Sequence, residues 1–378
     1  MQYRIGYIGF GGMASGYHYD TAMREDVPFT PTAVFDLRES QRNLAKSRGL
    51  AAFDNLRDFL DSRLFDFVLV ATPNQYHCPM VCAALDAGYH AMSEKPAAMS
   101  SKQIENMIAH AKAVDKMFTV HHNRRWDRDY LILKEALASG KIGHVHAYEN
   151  RIHSAGGNGQ MFGWRNYADH GGGMLLDWGI HMIDQTLDLI REPVISVFAD
   201  VRPIRSEVDD WAKLLICFES GVTAQIEVST FSPIPLPKWM AFGDRGTIVV
   251  DECCGDKGRM RYVADAHDDV RSDTVYLEHT VAERAAQTYT IDQWVDQPLP
   301  LTPQPQDWAS LYKNVAAALD GTEELLVTPE SVLRCFKVIE AAVQSSNFGV
   351  SIETEAYHET VDELDLDFDI SDVLESDF

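Results

Sequence analysis

Basic residues are scarce in this chain of 378 residues: 33 Lys and Arg stand against 57 Asp and Glu, a formal net charge of −24. Such a field repels phosphate backbones and anionic lipid headgroups, which argues against nucleic-acid and membrane-surface partners. No run approaches the roughly 18 to 20 uninterrupted apolar residues of a membrane span. The N-terminus also lacks a basic segment leading into an apolar one, so a cytoplasmic location is expected. Cysteine is thin. Six in a chain of this length, with Cys253 and Cys254 adjacent and Cys78 and Cys82 a helical turn apart, do not have the spacing of a disulfide framework and read as reduced thiols. Cys78 and Cys82 lack a second matched pair, HExxH is absent, and no metal is expected. Hydrophobic residues at 46% and charged residues at 24% are ordinary for a folded protein, and the length suits two cores.

What is present alternates. Apolar runs at Tyr3 to Gly9, Thr32 to Phe35, Phe67 to Ala71, Tyr89 to Ser93 and Phe118 to His121 are separated by helical patterns such as Met13 to Met23, Ser40 to Arg48, Met80 to Ala87 and Lys102 to Val114. This predicts an α/β fold that opens with a doubly wound parallel sheet over residues 1–121. Over 122–350 longer strand patterns take over: Val222, Ala224, Ile226 and Val228 alternate with polar residues, and the turn from Gly243 to Gly246 leads into Thr247 to Val250. A mostly antiparallel sheet with one open face is expected there. Val332, Cys335, Phe336, Ile339, Ala342 and Val343 have helical spacing behind a Thr328-Pro329 cap, and that helix should pack back on the domain junction. From residue 351 on, 28 residues carry eleven acidic groups and no Lys or Arg, the pattern of a solvated tail. Leu364, Leu366, Phe368 and Ile370 alternate with Asp, the alternative pattern of an added edge strand.

Four groups of residues carry chemistry. Gly9, Phe10, Gly11, Gly12, Met13 and Ala14 form a GxGxxA turn between a predicted strand and helix, where backbone N–H groups can meet a pyrophosphate. Asp36 ends the second strand, placed to accept from an adenosine ribose; a carboxylate there favours NAD over NADP, with Arg38 as the counter-argument. Thr72, Asn74 and His77 follow the fourth main strand and should line the same crevice, or serve simply as turn and cap. Glu94 and Lys95 follow the next strand, where an ammonium could steady a developing alkoxide; an ordinary surface turn would read the same. Finally, Asp177 and His181 lie four apart after a triple glycine, so on a helix they share a face, as a base and the carboxylate that orients it or as part of a buried polar cluster.

Taken in order, the GFGGMA turn, ATPNQYH, SEKP, HNRRW, GWR, GGGMLLDWGIHMID and GDRGTI resemble the Gfo/Idh/MocA oxidoreductases over residues 1 to about 350. That group includes inositol dehydrogenases and glucose-fructose oxidoreductase. The resemblance implies a Rossmann domain, a larger α/β domain whose sheet often joins subunits into dimers or tetramers, and a nicotinamide cofactor between the two. It implies catalytic roles for Lys95, Asp177 and His181, and cofactor contacts from Gly9, Phe10, Gly11, Met13, Asp36, Thr72, Asn74, Glu94 and Asn123, with Trp164 and Arg165 bordering the nicotinamide. The expected reaction is oxidation of a secondary hydroxyl on a sugar, sugar derivative or cyclitol. Relatives that cleave glycosides without net redox change, and relatives that only sense nucleotide or bind a partner, supply the two rival expectations.

Overall fold

The structure, a computed structural model, describes residues 2–153, 163–263 and 294–354; of Trp164 it describes the backbone alone. Six strands, β1 (Tyr3–Ile8), β2 (Phe29–Phe35), β3 (Ala51–Phe53), β4 (Phe67–Val70), β5 (His90–Ser93) and β6 (Phe118–Val120), form one sheet in the order β3-β2-β1-β4-β5-β6. All its pairings are parallel. In β4 all four residues are fully buried, because helices cover a parallel sheet on both faces. The helices are α1 (Tyr19–Ala22), α2 (Glu39–Ser47), α3 (Leu56–Asp61), α4 (His77–Asp86) and α5 (Ser101–Ala113). Sequence patterning found these elements to within a few residues, apart from the short β3 and α3. The order reverses between β1 and β4, so the crevice at their carboxyl ends is where a doubly wound sheet takes its ligand.

The second sheet follows α6 (Arg128–Ala138) and holds, among the described residues, β7 (Val145–Ile152), β8 (Val194–Arg202), β9 (Trp211–Phe218), β10 (Thr223–Ser229), β11 (Trp239–Gly243), β12 (Gly246–Val250), β13 (Gly258–Val263), β14 (Trp294–Leu299) and β15 (Ile352–Glu353). Its order is β14-β13-β12-β11-β7-β10-β9-β8-β15, antiparallel except where β10 runs parallel to β7. One face packs on α7 (Ile180–Leu189) and α9 (Pro329–Phe348); α8 (Ala309–Leu319) packs instead on the Asn123–Trp126 turn and reaches His18, just before α1, through Tyr312. Thr328 caps α9 by accepting from the Ser331 N–H, and Pro329 begins it, as the sequence predicts. The same helix touches α5 and β6, so it does pack back on the first sheet. The tail expected from residue 351 gives its first residues to the sheet, since Ile352 and Glu353 pair with Val197 and Ser196. The rest of it, including the alternating 364–370 stretch, lies outside the described residues.

Candidate active site

The crevice is built from strand ends. Gly9 follows β1 with φ +83°, and a Cβ there would come within 2.7 Å of the Ala71 carbonyl oxygen, so only glycine fits. Beyond it, a side chain at Gly12 would meet nothing within 4 Å, which leaves an open cradle at the start of a π-helical turn, Met13–His18, that runs into α1. Phe10 is buried under the turn and donates its N–H to Asp36 Oδ2 at 2.7 Å. Asp36 also accepts from the Arg38 backbone and guanidinium at 2.9 to 3.2 Å, and that guanidinium lies beside Gly11. An open glycine cradle with a carboxylate one strand away fits a dinucleotide, with Gly9 to Met13 facing the pyrophosphate and Asp36 and Arg38 the adenosine end.

Across the crevice, His77 braces two turns: its ring nitrogens lie 2.7 Å from the Pro96 carbonyl and 2.8 Å from that of Thr72. Asn74 donates to the Gly171 carbonyl at 3.1 Å and so ties the turn after β4 to the triple glycine. The Lys95-Pro96 peptide is cis. Glu94 faces inward. Its Oε1 lies 2.7 Å from His18 Nε2 and 3.0 Å from His121 Nδ1, while Oε2 accepts the Lys95 N–H at 2.9 Å. His18, Glu94 and His121 thus form a buried polar layer with ligand atoms close enough to hold a cation, and they underlie the lysine. Burial opposes the Glu94 charge, but His121 and His18 together hold its carboxyl well below the usual range. Asn123 is buried at the start of the next turn.

Lys95 Nζ reaches Asp177, donating to Oδ1 at 2.7 Å and to its backbone oxygen at 2.9 Å. Arg165 Nε donates to Asp177 Oδ2 at 3.1 Å; Trp164 contributes to the same short helix, but its side chain lies outside what the structure describes. Burial raises the Asp177 carboxyl, yet the charges and hydrogen bonds of Lys95 and Arg165 outweigh it and keep the group ionised. The expected orientation of His181 by Asp177 is not what forms. Residues Leu175–Gly179 wind as a second π-helical turn before α7, so the ordinary four-residue stacking is lost and Asp177 turns to the two cations. His181 sits instead beside Trp178 and His122, with ring centroids at 6.3 and 6.0 Å, and its Nδ1 has no hydrogen-bond partner. Burial, then the charges of Lys95 and Arg124, push its pKa well below the ordinary histidine value, so it is a neutral base at pH 7.

The geometry is that of a proton-accepting imidazole beside an ammonium whose position a carboxylate fixes, at the mouth of a dinucleotide cradle. Residues 3–122 match the profile described as "Oxidoreductase family, NAD-binding Rossmann fold", and 130–249 match the GFO/IDH/MocA C-terminal domain. The solved NAD-binding protein from Listeria innocua is 33% identical, with a TM-score of 0.80 over 96% of this chain and 100% of that one. The chain belongs to the GFO/IDH/MocA oxidoreductase family.

Among GFO/IDH/MocA relatives, the scyllo-inositol 2-dehydrogenase (NADP(+)) IolW of Bacillus subtilis is 24% identical across 91% of this chain and 93% of its own length. The D-glucoside 3-dehydrogenase of Escherichia coli is 28% identical across 67% and 75%. This chain is accordingly an oxidoreductase with an NAD-binding Rossmann domain. Sequence reading singled out HNRRW but gave His122 and Arg124 no role beside the site, and it missed His18, which no local motif marks; the placing of β6 beside β5 and of the turn after β1 against Glu94 brings them in.

Proposed function

We propose that the protein oxidises a secondary hydroxyl of a sugar, sugar derivative or cyclitol, with NAD preferred to NADP. The observation that carries this reading is the Lys95 ammonium fixed on Asp177 next to an unprotonated, buried His181. When bound, the nicotinamide supplies the hydride acceptor. His181 takes the hydroxyl proton, Lys95 steadies the alkoxide as it forms, and Asp177 keeps Lys95 charged and aimed. Asp36 supports the preference for NAD, because its carboxylate repels a 2′-phosphate; the Arg38 pair attenuates that repulsion. The inositol and glucoside activities named for the relatives support a polyol substrate.

A first domain over 1–121 and a second over 122–350 would then close on the cofactor. The open face of the second sheet carries Phe198 and Leu215, adjacent across β8 and β9 and 46% and 41% exposed, together with Ile195. We place the interface of a homodimer or homotetramer there. The deciding experiment is absorbance at the reduced-nicotinamide band with NAD or NADP and a panel of polyols, cyclitols and their glycosides. A rise with one polyol supports the reading. Cleavage of a glycoside with no rise would replace it by redox-neutral elimination, and nucleotide binding with neither would leave a sensor.

A further inference from the structure

The turn between β12 and β13 holds the two adjacent cysteines, and nothing in the hydride-transfer reading uses them. Cys253 and Cys254 are both partly exposed, and their sulfurs lie 3.8 Å apart. Cys254 has φ +57°, a left-handed conformation that a residue with a side chain seldom adopts unless something holds it. Asp129 holds it there: its Oδ1 accepts the Cys254 N–H at 2.8 Å, while Oδ2 is fixed by the Trp239 indole at 3.0 Å. The Arg124 guanidinium points Nη1 at Cys254 Sγ from 3.2 Å. It also stacks on Trp178, 4.5 Å from the ring centroid, and on Trp308 at 5.1 Å. A cation beside a partly exposed thiol favours the nucleophilic thiolate, and the second thiol stands within reach as the resolving group.

We propose that Cys253 and Cys254 form a vicinal dithiol site that reacts as a unit with hydroperoxides, closing to a Cys253–Cys254 disulfide. One thiolate attacks the terminal peroxide oxygen; the O–O bond breaks and the departing hydroxide, or alkoxide from an organic hydroperoxide, takes up a proton from solvent as water or alcohol. The neighbouring sulfur then attacks the sulfenic acid, the S–S bond forms, the S–O bond breaks, and the thiol proton leaves with the hydroxide as water. The pair loses two electrons and the peroxide gains them. The Cys254–Cys253 hydrogen bond holds the Cys253 thiol below its ordinary value against the effect of burial and raises Cys254 against the charge of Arg124, so each sulfur has one neighbour that favours its thiolate.

A cation site is the competing use, since ligand atoms of Asp127, Asp129, Cys253 and Cys254 cluster together. The donors argue against it: all four carboxylate oxygens already accept, from Trp308, Arg124, Cys254 and Trp239, and a guanidinium occupies the sulfur. Cys78 and Cys82 make the contrast, buried on α4 with no hydrogen-bonding cation at either sulfur among the described residues. Adjacent Cα atoms, about 3.8 Å apart, are closer than the usual disulfide range, so the closed form should reopen readily. Closure also removes the thiol partner of the arginine that stacks on Trp178, the residue after Asp177.

The test is peptide mass mapping of the full chain, reduced, then treated with hydrogen peroxide and alkylated. The tryptic peptide from Gly246 to Lys257 contains both residues. It should lose both labels together, become two hydrogens lighter, and recover both labels after dithiothreitol. Cys253→Ser and Cys254→Ser should each stop at a sulfenic acid that dimedone traps. Oxidation appearing first at Cys78, Cys82 or Cys217, overoxidation of a single sulfur in the wild-type chain, or stoichiometric zinc protecting the pair would each overturn the proposal.

Discussion

Lys95 donates twice to one residue, to the carboxylate and to the backbone oxygen of Asp177. A residue from the end of β5 is thereby fixed to the helix entry that leads to His181, and the two halves of the site keep one spacing. Replacing Lys95 with Ala should lower kcat by about 10²–10⁴, with nucleotide affinity within a few-fold of wild type. Asp177→Asn keeps the shape and removes the charge, so it should lower kcat less and leave KM nearly unchanged. Turnover of Lys95→Ala at the wild-type rate would remove the lysine from the reaction.

Asp36 and Arg38 set the second prediction. The carboxylate is shared between the Phe10 N–H and the Arg38 guanidinium, so Asp36→Ala also takes an acceptor from the glycine turn, a cost common to both nucleotides that cancels from their ratio. Asp36→Ala should move the ratio of kcat/KM values toward NADP by about tenfold or more, since it removes a repulsion of roughly 1–2 kcal/mol. Arg38→Ala should move it the other way. Parallel shifts for both nucleotides in both variants would mean that neither residue reads the ribose.

Three buried histidines give a pH prediction. Burial lowers His18 and His122 to about 4 and His181 well below its ordinary value. Each is neutral when folded, so the stability it allows is present above the unfolded value of about 6.5 and is lost as pH falls through the folded value. Unfolding free energy should therefore fall between pH 6.5 and 4. Under the proposed mechanism kcat/KM should stay flat down through pH 6.5 and fall only in the more acidic range where His181 protonates. A rate profile with a midpoint at 6.5 or above would assign the base elsewhere.

How much of this was legible beforehand follows from what local pattern can encode. The parallel sheet, the glycine cradle, Asp36 and the lysine at a strand end all sit on contiguous residues whose spacing states their role. Asp177 and His181 are legible as residues, but the shared helix face expected of them does not form, because four-residue stacking assumes an α-helix and a π turn intervenes. Glu94 shows the other limit. Its partners His18 and His121 are far off in sequence, and only the order of β1, β5 and β6 in the sheet makes them neighbours.

Arg125 and Asp184 form a bidentate pair at 2.6 and 2.8 Å, both buried, with Arg125 also donating to the Leu326 carbonyl. The pair holds the turn after β6 against α7, directly behind His122. Arg125→Ala should cost about 3–5 kcal/mol, because Asp184 is left as an unpaired buried charge. Arg125→Met with Asp184→Leu should recover most of that loss. Denaturant unfolding decides it, and a single variant within 1 kcal/mol of wild type, on the scale of an exposed pair, would show that water reaches the carboxylate.

Asp209 caps the helix entry that carries Asp177 from another part of the chain. Its Oδ2 accepts the Leu175 N–H at 2.7 Å, its backbone oxygen accepts the Met174 N–H at 2.8 Å, and Gly173 has φ +109° with no room for a Cβ beside Oδ1. Burial pushes the carboxyl up to about 7, against the backbone hydrogen bonds and with help from Asp210. A raised acid contributes stability that is complete below the unfolded value of 3.8 and is lost as pH rises through the folded one. Asp209→Asn keeps an acceptor for Leu175 and cannot titrate, so its stability relative to wild type should improve from pH 5 to pH 8. Asp209→Ala loses the cap and should cost about 1 kcal/mol at either pH, with a further drop in kcat as the turn bearing Asp177 loosens. Urea midpoints at the two pH values separate these outcomes, and a wild-type advantage over Asp209→Asn that grows with pH would reverse the assignment of the carboxyl as the strained acid.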